Sequence, residues 1–176
     1  MRILVVVSGA PASGKSALAR PLAERLAFPL VAKDTIKEAM FDTLGGGDAA
    51  WSARLSDAAY EVMFALLPWL PQSQAVIEAN FRPEHVPRLL ALGPRPLEVH
   101  CVCPQAERER RWAGRRRHPG HLDADHPMIP APAASGPLRL GPDVLEVDTT
   151  GVVDAGAVAA WVRDRAPGQG EDVVRA

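Results

Sequence analysis

Cysteine is scarce in this chain of 176 residues, which contains only Cys101 and Cys103. Two residues apart on a strand, their side chains would point to the same face and would be poorly placed for a mutual disulfide. Two thiols are also too few for a structural zinc site. The sequence therefore predicts buried free thiols and argues against a scaffold built on disulfides or zinc.

An excess of charge of either sign is also missing, because 20 Lys and Arg stand against 21 Asp and Glu, for a net charge of -1. Without a basic excess, no global field favours nucleic acid. No apolar run approaches the roughly 20 residues of a membrane span, and the short run after Met1 is better used as a strand than as a signal peptide. We expect a cytoplasmic protein that is a monomer or a homodimer.

The chain does contain an alternation of apolar runs and helical patterns, which is typical of a parallel α/β sheet. We expect one domain over residues 1–166 and a flexible tail over 167–176. Strands are predicted at 2–9, 29–34, 74–81, 97–103 and 143–149. Helices are predicted at 15–27, 35–42, 51–67, 83–93, 105–118 and 154–166, with a bend at Pro21 and Thr35 as a helix N-cap.

The first predicted strand runs into GAPASGKS, residues 9–16, which fits the phosphate-binding pattern G-x-x-x-x-G-K-[ST]. Glycines let successive backbone N–H groups turn inward toward an anion, and the helix that follows adds its positive N-terminal dipole. Lys15 is placed to reach the β- and γ-phosphates, and the Ser16 hydroxyl to bind Mg²⁺. The predicted nucleotide-binding residues are Gly9, Ala10, Pro11, Ala12, Ser13, Gly14, Lys15, Ser16 and Ala17.

Motifs of two other classes of nucleotide-binding protein, GTPases and large motor ATPases, are missing from the chain. A GTPase should carry an Asn-Lys-x-Asp motif, and the chain has none; DTTG at 148–151 has the form of a switch but lies too far along the chain. A large motor ATPase would need more chain and a strand that ends in Asp or Asp-Glu, for which Glu78 is the nearest candidate. A small kinase fits these features better.

Asp34 is predicted at the carboxyl end of the second strand, where ligands bind in open α/β sheets. A carboxylate there could accept the proton of a hydroxyl that attacks the γ-phosphate. It could equally be an acid that stabilises the N-terminus of the next helix. Position alone leaves both interpretations open.

Arginines crowd the segment 105–118, where Arg108, Arg111 and Arg115 share one predicted helix face. Arginine forks match the negative charge that develops on a transferring phosphoryl group. Because an irregular segment follows, we expect a lid over about residues 105–140 that closes on the nucleotide. The alternative is a solvated face whose arginines pair with Glu107 and Glu109.

Five blocks together resemble a family of small ATP-binding proteins known as predicted P-loop kinases. They are GAPASGKSALARPLAERL, AKDTIKEAMFD, VIEANFRPE, RRWAGRRRHPGH and LEVDTT. More distantly, the chain is similar to chloramphenicol phosphotransferase, gluconate and shikimate kinases, zeta toxins and the kinase domain of polynucleotide kinases. The resemblance runs from about residue 3 to residue 165, and the Lys-Asp-x-Ile-Lys-Glu and Arg-His-Pro-Gly-His blocks are its most specific parts.

This resemblance implies a single P-loop NTPase domain with a five-stranded parallel sheet in the order 2-3-1-4-5, helices on both faces and an arginine-rich lid. It implies ATP and Mg²⁺ as cofactors, and Asp34 as the general base beside Lys15. By the same resemblance, Arg111, Arg115 and Arg117 are lid arginines, and Asp148 and Thr149 lie near the adenine pocket.

Further candidates surround the predicted cleft. Glu78 could hold a Mg²⁺-bound water, and Asn80, Arg82 and Lys37 could contact the substrate, although Asn80 and Arg82 could instead satisfy backbone groups of their loop. The aromatic residues between the second and third strands are expected in the core, with an acceptor site as the alternative. They are Trp51, Tyr60, Phe64 and Trp69.

A histidine-rich segment follows the arginines. Its composition could suggest a metal site, but it lacks a helical i, i+4 pair of histidines and is broken by Pro and Gly, so we expect a lid or lid hinge. The residues concerned are His118, His121, Asp123, Asp125 and His126.

The sequence as a whole predicts an ATP- and Mg²⁺-dependent kinase that phosphorylates a hydroxyl of a small molecule, without membrane partners. Three alternatives stay open: a polynucleotide 5′-hydroxyl kinase, a toxin kinase that acts on a nucleotide sugar, and a non-catalytic ATP-binding regulator.

Overall fold

The fold is built on one five-stranded sheet. The computed structural model describes residues 3–70, 74–92, 95–115, 118–121 and 136–166, with only the backbone of Arg95. All strands are parallel and lie in the order β2-β3-β1-β4-β5, which confirms the predicted topology. The strands are β1 (Ile3–Ser8), β2 (Leu30–Ala32), β3 (Gln74–Glu78), β4 (Arg95–Val102) and β5 (Val144–Asp148).

Helices connect these strands, as the alternating pattern predicts. Two of them have side-chain N-caps: Asp48 accepts from the backbone of Trp51, and Asp154 accepts from Gly156 and Ala157. Short 3₁₀ turns lie at Leu67–Trp69, Pro83–His85 and Pro119–His121. The helices are α1 (Lys15–Leu26), α2 (Lys33–Leu44), α3 (Ala49–Leu66), α4 (Val86–Ala91), α5 (Gln105–Gly114) and α6 (Ala155–Arg165).

The two faces of the sheet carry separate apolar clusters, because successive side chains of a strand point to opposite faces. Val5 and Val7 of β1 pack with α1 and α6. Leu4 and Val6 pack on the other side with α3 and α4. Strand β1 is buried along its whole length, which explains why its sequence is a continuous apolar run.

The strand register brings three chain segments to one edge of the sheet. Glu78 at the end of β3 is the partner of Val7 in β1 and of Ala32 in β2. The loop after β1, the start of α2 and the end of β3 therefore meet at the carboxyl edge, where parallel sheets bind ligands.

Two element boundaries differ from the prediction. Strand β2 ends at Ala32, which is also the N-cap of α2, so Asp34 lies in the first turn of that helix and Thr35 is not its cap. As an edge strand, β2 pairs only with β3 and only over three residues. Helix α5 ends at Gly114, a poor helix former, which leaves Arg115 as an extended C-cap beyond the helix face shared by Arg108 and Arg111.

A buried carboxylate secures the segment before β5. Glu98 on β4 is fully buried and accepts hydrogen bonds from Ser8 Oγ at 2.9 Å and from the backbone N–H groups of Leu138 and Arg139 at 2.7 and 2.9 Å. Backbone N–H groups that converge in this way form a small anion-binding nest. The carboxylate thus ties residues 138–140 to the strand that flanks β1.

The thiols and aromatics follow the prediction only in part. Both cysteines are free; Cys101 is buried, whereas Cys103 lies beyond β4 and is half-buried. Burial raises the pKa of Cys101 to about 12, so this thiol is not a nucleophile. Phe64 is in the core, Trp51 and Tyr60 are half-buried, and Trp69 is 86% exposed, which corrects the expectation of a core position for Trp69.

Candidate active site

The loop after β1 is shaped by backbone that glycine favours. Gly9 and Gly14 have φ angles of 137° and 87°, in the region that L side chains rarely adopt. A Cβ on Gly9 would lie 2.6 Å from the carbonyl oxygen of Cys101. The loop therefore packs directly on β4, and its path depends on the absence of a side chain at residue 9.

Two side chains of this loop fit an anionic ligand. Lys15 is buried, and its ammonium donates to the carbonyl of Ala10 at 2.8 Å, which folds the lysine back over the loop. The hydroxyl of Ser13 is buried and has no hydrogen-bond partner among the described residues. A buried hydroxyl without a partner is costly, and a phosphate oxygen at the start of α1 would supply one.

Ser16 and Glu78 form an oxygen pair beside this cradle. The Ser16 hydroxyl donates to Glu78 Oε2 at 3.2 Å, and Glu78 is 5% exposed. Hydroxyl and carboxylate oxygens are ligands that Mg²⁺ accepts, either directly or through water. This donor set fits a magnesium ion next to the phosphates.

Asp34 lies in the first turn of α2 and faces the same cleft. Its carboxylate is 3.2 Å from the ammonium of Lys33, and its side chain is 36% exposed. Lys33 is itself buried and lies 5.5 Å from the centre of the Tyr60 ring. Lys33 was not among the predicted site residues, although it belongs to the Lys-Asp-x-Ile-Lys-Glu block.

One cleft of about 430 Å³ connects these groups. The phosphate loop, Asp34 and Glu78 all line it. Three polar lining residues were not predicted as site residues: Arg20 on α1 and Thr35 and Glu38 on α2. From the phosphate loop and α5, the lining includes Ala12, Gly14, Lys15, Ser16, Ala17, Arg111 and Arg115.

The arginines of α5 divide into different roles. Arg111 lines the cleft and donates to Glu107 and to the carbonyls of Thr149 at 2.6 Å and Thr150 at 3.1 Å. Arg115 lines the cleft with its guanidinium 3.8 Å from the centre of the Trp112 ring.

Arg108 and Arg117 stand apart from these two. Arg108 is buried and donates to the carbonyl of Cys103, so it attaches α5 to the end of β4 and does not line the cleft. The predicted lid arginine Arg117 lies outside the described residues.

Thr149 joins the end of β5 to the phosphate loop. Its hydroxyl lies 2.5 Å from the carbonyl oxygen of Ser13 and 2.9 Å from that of Val102. Asp148 accepts from the hydroxyl and backbone N–H of Thr150, and these bonds lower the pKa of its carboxyl. Thr149 therefore contacts the phosphate loop directly, and the position of both residues near an adenine pocket stays a prediction.

The three predicted substrate contacts do not line the described part of the cleft. The backbone carbonyl of Asn80 accepts from the Tyr60 hydroxyl at 2.8 Å, and burial raises the pKa of that tyrosine. Arg82 is exposed and lies 3.6 Å from Glu84. Lys37 is buried and donates to Ser52 Oγ at 2.8 Å.

The histidines make contacts with helix α2 rather than a metal site. His118 lies 2.9 Å from Asp42, and His121 lies 2.8 Å from Glu38. Within the described ranges, no group of three or more His, Cys, Asp or Glu residues could hold a metal ion. Asp123, Asp125 and His126 lie outside those ranges.

Comparison with known protein families places the residues of this cleft in a known domain. A model of the AAA domain family matches residues 4–128, which include the phosphate loop, Asp34, Glu78 and α5. The chain belongs to this AAA domain family. No curated protein sequence matches this AAA domain protein significantly.

Solved structures extend the comparison. A protein from Chloroflexus aurantiacus J-10-fl, described as a candidate kinase, is 32% identical over 94% of this chain and 99% of its own, with a TM-score of 0.85. A gluconokinase from Sinorhizobium meliloti 1021 is 14% identical over 92% and 91% of the two chains, with a TM-score of 0.52. A shikimate kinase from Bacteroides thetaiotaomicron is 12% identical over 93% and 96%, with a TM-score of 0.54.

The last two similarities show the fold alone, and the first supports a kinase. The resemblance to small P-loop kinases is thereby confirmed. In the part of the chain that the structure describes, no helix combines the length and apolarity of a membrane span.

Proposed function

We propose that this protein is a kinase that transfers the γ-phosphoryl group of ATP to a hydroxyl of a small molecule, with Asp34 as the general base. One observation carries the proposal: a phosphate-binding loop, an oxygen pair suited to Mg²⁺, a carboxylate and two arginines line a single cleft of about 430 Å³. These are the groups that phosphoryl transfer requires, because positioning and charge stabilisation supply most of its catalysis.

The phosphate end of the cleft would hold the nucleotide. The loop amides and Lys15 would bind the phosphates, and Ser16 and Glu78 would hold a magnesium ion. When bound, that ion would supply positive charge next to the phosphates. Arg115 and Arg111 reach the cleft from α5 and add positive charge near the transferring group.

The opposite end would hold the acceptor. The Asp34 carboxylate accepts the proton of the acceptor hydroxyl while that oxygen bonds to the γ-phosphorus and the bond from phosphorus to the ADP oxygen breaks. The ammonium of Lys33, 3.2 Å away, holds the Asp34 carboxylate in place at the cleft. Partial exposure of Asp34 leaves it accessible to a second substrate.

The test is a screen for acceptor-dependent ADP release with MgATP over sugars, antibiotics, nucleosides, nucleotide sugars and 5′-hydroxyl oligonucleotides. We expect release to rise above the ATP-only rate with at least one small molecule. A response only to oligonucleotides would favour a polynucleotide kinase, and a response only to nucleotide sugars would favour a toxin kinase. ATP binding without ADP release for any acceptor would contradict the proposal and favour a regulator.

A further inference from the structure

The turn that follows α5 is fixed by two hydrogen bonds to helix α2 and one to helix α3, and the proposed transfer step makes no use of it. This histidine turn consists of residues 118–121. His121 Nε2 lies 2.8 Å from Glu38 Oε1, and His118 Nε2 lies 2.9 Å from Asp42 Oδ1. Ser52 Oγ adds a third bond, at 3.0 Å, to the carbonyl of Gly120.

The acids that hold the histidine turn continue the row that begins with the candidate base. Asp34, Glu38 and Asp42 follow one another at intervals of four residues on α2, so they lie on one face of the helix. Asp34 and Glu38 both line the cleft. The helix face that presents the base is therefore the face on which the histidine turn rests.

The contact is close and specific. The backbone N–H of Gly120 donates to His118 Nδ1 at 3.2 Å, so the ring hydrogen is on Nε2 and points to Asp42; the bond needs no protonated ring. A Cβ on Gly120 would lie 2.8 Å from the Phe41 ring. His121 has a side chain that is only 4% exposed. These features leave the turn little room to shift on α2.

The histidine turn also limits how far the arginines at the end of α5 can move. Arg115 is the C-cap of α5 and precedes His118 by three residues, so its backbone cannot move far while the turn is held. Nearer the middle of α5, Arg111 is bonded to the carbonyls of Thr149 and Thr150. Helix α5 is thus attached to the β5 side of the cleft by Arg111 and to the α2 side by the histidine turn.

We propose that His121 and Glu38 are positioning residues that fix the spacing between the arginines of α5 and Asp34 across the cleft. Their effect on turnover rests on the proposed phosphoryl transfer, whereas the anchoring of α5 does not. Breaking the pair lets the end of α5 move away from α2, which lowers kcat more than it weakens ATP binding at the phosphate loop. A displacement of about 1 Å is enough to reduce a rate roughly 100-fold.

Trp112 on α5 provides a direct probe of this anchoring. In a background with Trp51→Phe, Trp69→Phe and Trp161→Phe, Trp112 is the remaining tryptophan. We expect His121→Ala to raise acrylamide quenching of Trp112 by about twofold, because local opening exposes the helix. Asp57→Asn, an exposed acid on α3, is the matched control and should leave quenching unchanged.

Turnover provides the second measurement, with ADP release from MgATP and an acceptor found by the screen. His121→Ala should lower kcat roughly 10- to 100-fold and change the KM for ATP by less than about threefold. His121→Gln, whose amide N–H can replace the Nε2 donor, should restore most of both properties. Glu38→Ala should match His121→Ala, and the double variant should add little, as expected for coupled residues.

The outcomes separate the anchoring from the function. If His121→Ala does not fold, the half-exposed Glu38→Ala serves in its place. A folded variant with parent quenching would overturn the proposal, whatever happens to its kcat, because α5 would not have moved. If the parent itself releases no ADP with any acceptor, the proposed function fails, and the quenching comparison still decides whether the histidine turn anchors α5.

Discussion

The phosphate end of the cleft is built mainly from backbone, whereas the end around Asp34 is built from side chains of separate segments. At the phosphate end, a short run of consecutive residues supplies the loop, its glycines and Lys15. Around Asp34, the lining comes from α2, where Asp34, Thr35 and Glu38 lie, and Glu38 is in turn contacted by His121 from the segment after α5. The phosphate loop is therefore encoded locally, whereas the surroundings of Asp34 depend on how distant segments pack.

The largest expected effect is at the Asp34 end. Asp34→Asn keeps the size of the side chain but removes the proton acceptor, so we expect acceptor-dependent kcat to fall by roughly 10²- to 10⁴-fold. The affinity for MgATP, measured by calorimetry, should stay within about threefold of the parent, since Asp34 is not part of the phosphate loop. Retained turnover would show that the general base is another group.

The reverse result is expected at the phosphate end. Lys15→Ala removes the ammonium that lies over the loop, and losing a charged hydrogen bond to phosphate should weaken ATP binding roughly 10- to 100-fold. Calorimetry of MgATP binding measures the change. Arg25→Ala, on the same helix and away from the cleft lining, is the control. Equal affinity for Lys15→Ala and the parent would contradict the assignment of the loop.

A third variant tests whether Glu98, which ties residues 138–140 to β4, stabilises the fold. Glu98→Gln replaces one acceptor oxygen by an amide N–H, so that the backbone N–H of either Leu138 or Arg139 loses its acceptor. We expect the free energy of unfolding to fall by about 1–3 kcal/mol. Denaturant unfolding checks this, with exposed Glu146→Gln on β5 as the matched control. A loss of unfolding free energy no larger than that of the control would show that Glu98 does not stabilise the fold.

The smallest effect concerns the acid that steadies Arg111. Hydrogen bonds from Arg110 and Arg111 lower the pKa of Glu107 to about 2. A carboxyl with a lowered pKa in the folded state stabilises the fold above its ordinary pKa, and this contribution disappears as pH falls through the folded value.

Glu107→Gln should therefore lower the unfolding temperature slightly near neutral pH, and its difference from the parent should vanish as pH approaches about 2. Thermal unfolding over this pH range measures the effect, with Glu109→Gln on the same helix as the control. A difference that stays constant across the range would contradict the ion pair.

The sequence was sufficient to predict the strand order, because contiguous patterns and a family resemblance encode it. The same patterns single out the phosphate loop, Asp34 and Glu78, which line one cleft, but not Glu38, which lines it too. It was not sufficient for contacts between distant segments. His121 and Glu38 are 83 residues apart and lie in no common pattern. Lys37 carries a charge that suggested a ligand contact, yet tertiary packing buries it against Ser52.

Element ends were also beyond local patterns. The sequence just after residue 32 contains no Pro or Gly that would end a strand. Strand β2 ends there because it is an edge strand whose only neighbour in the sheet, β3, pairs with it over three residues. The same shift moves Asp34 onto a helix, where it faces the cleft together with Glu38. The acceptor end is therefore specified by tertiary structure to a greater degree than the phosphate end.

Phosphoryl transfer is tested most directly by following both products of one reaction. With MgATP labelled at the γ-phosphate and the acceptor found by the screen, we expect equal amounts of ADP and of labelled acceptor ester, with little labelled inorganic phosphate. Label found only in inorganic phosphate, or tight ATP binding without any label transfer to an acceptor, would contradict a kinase.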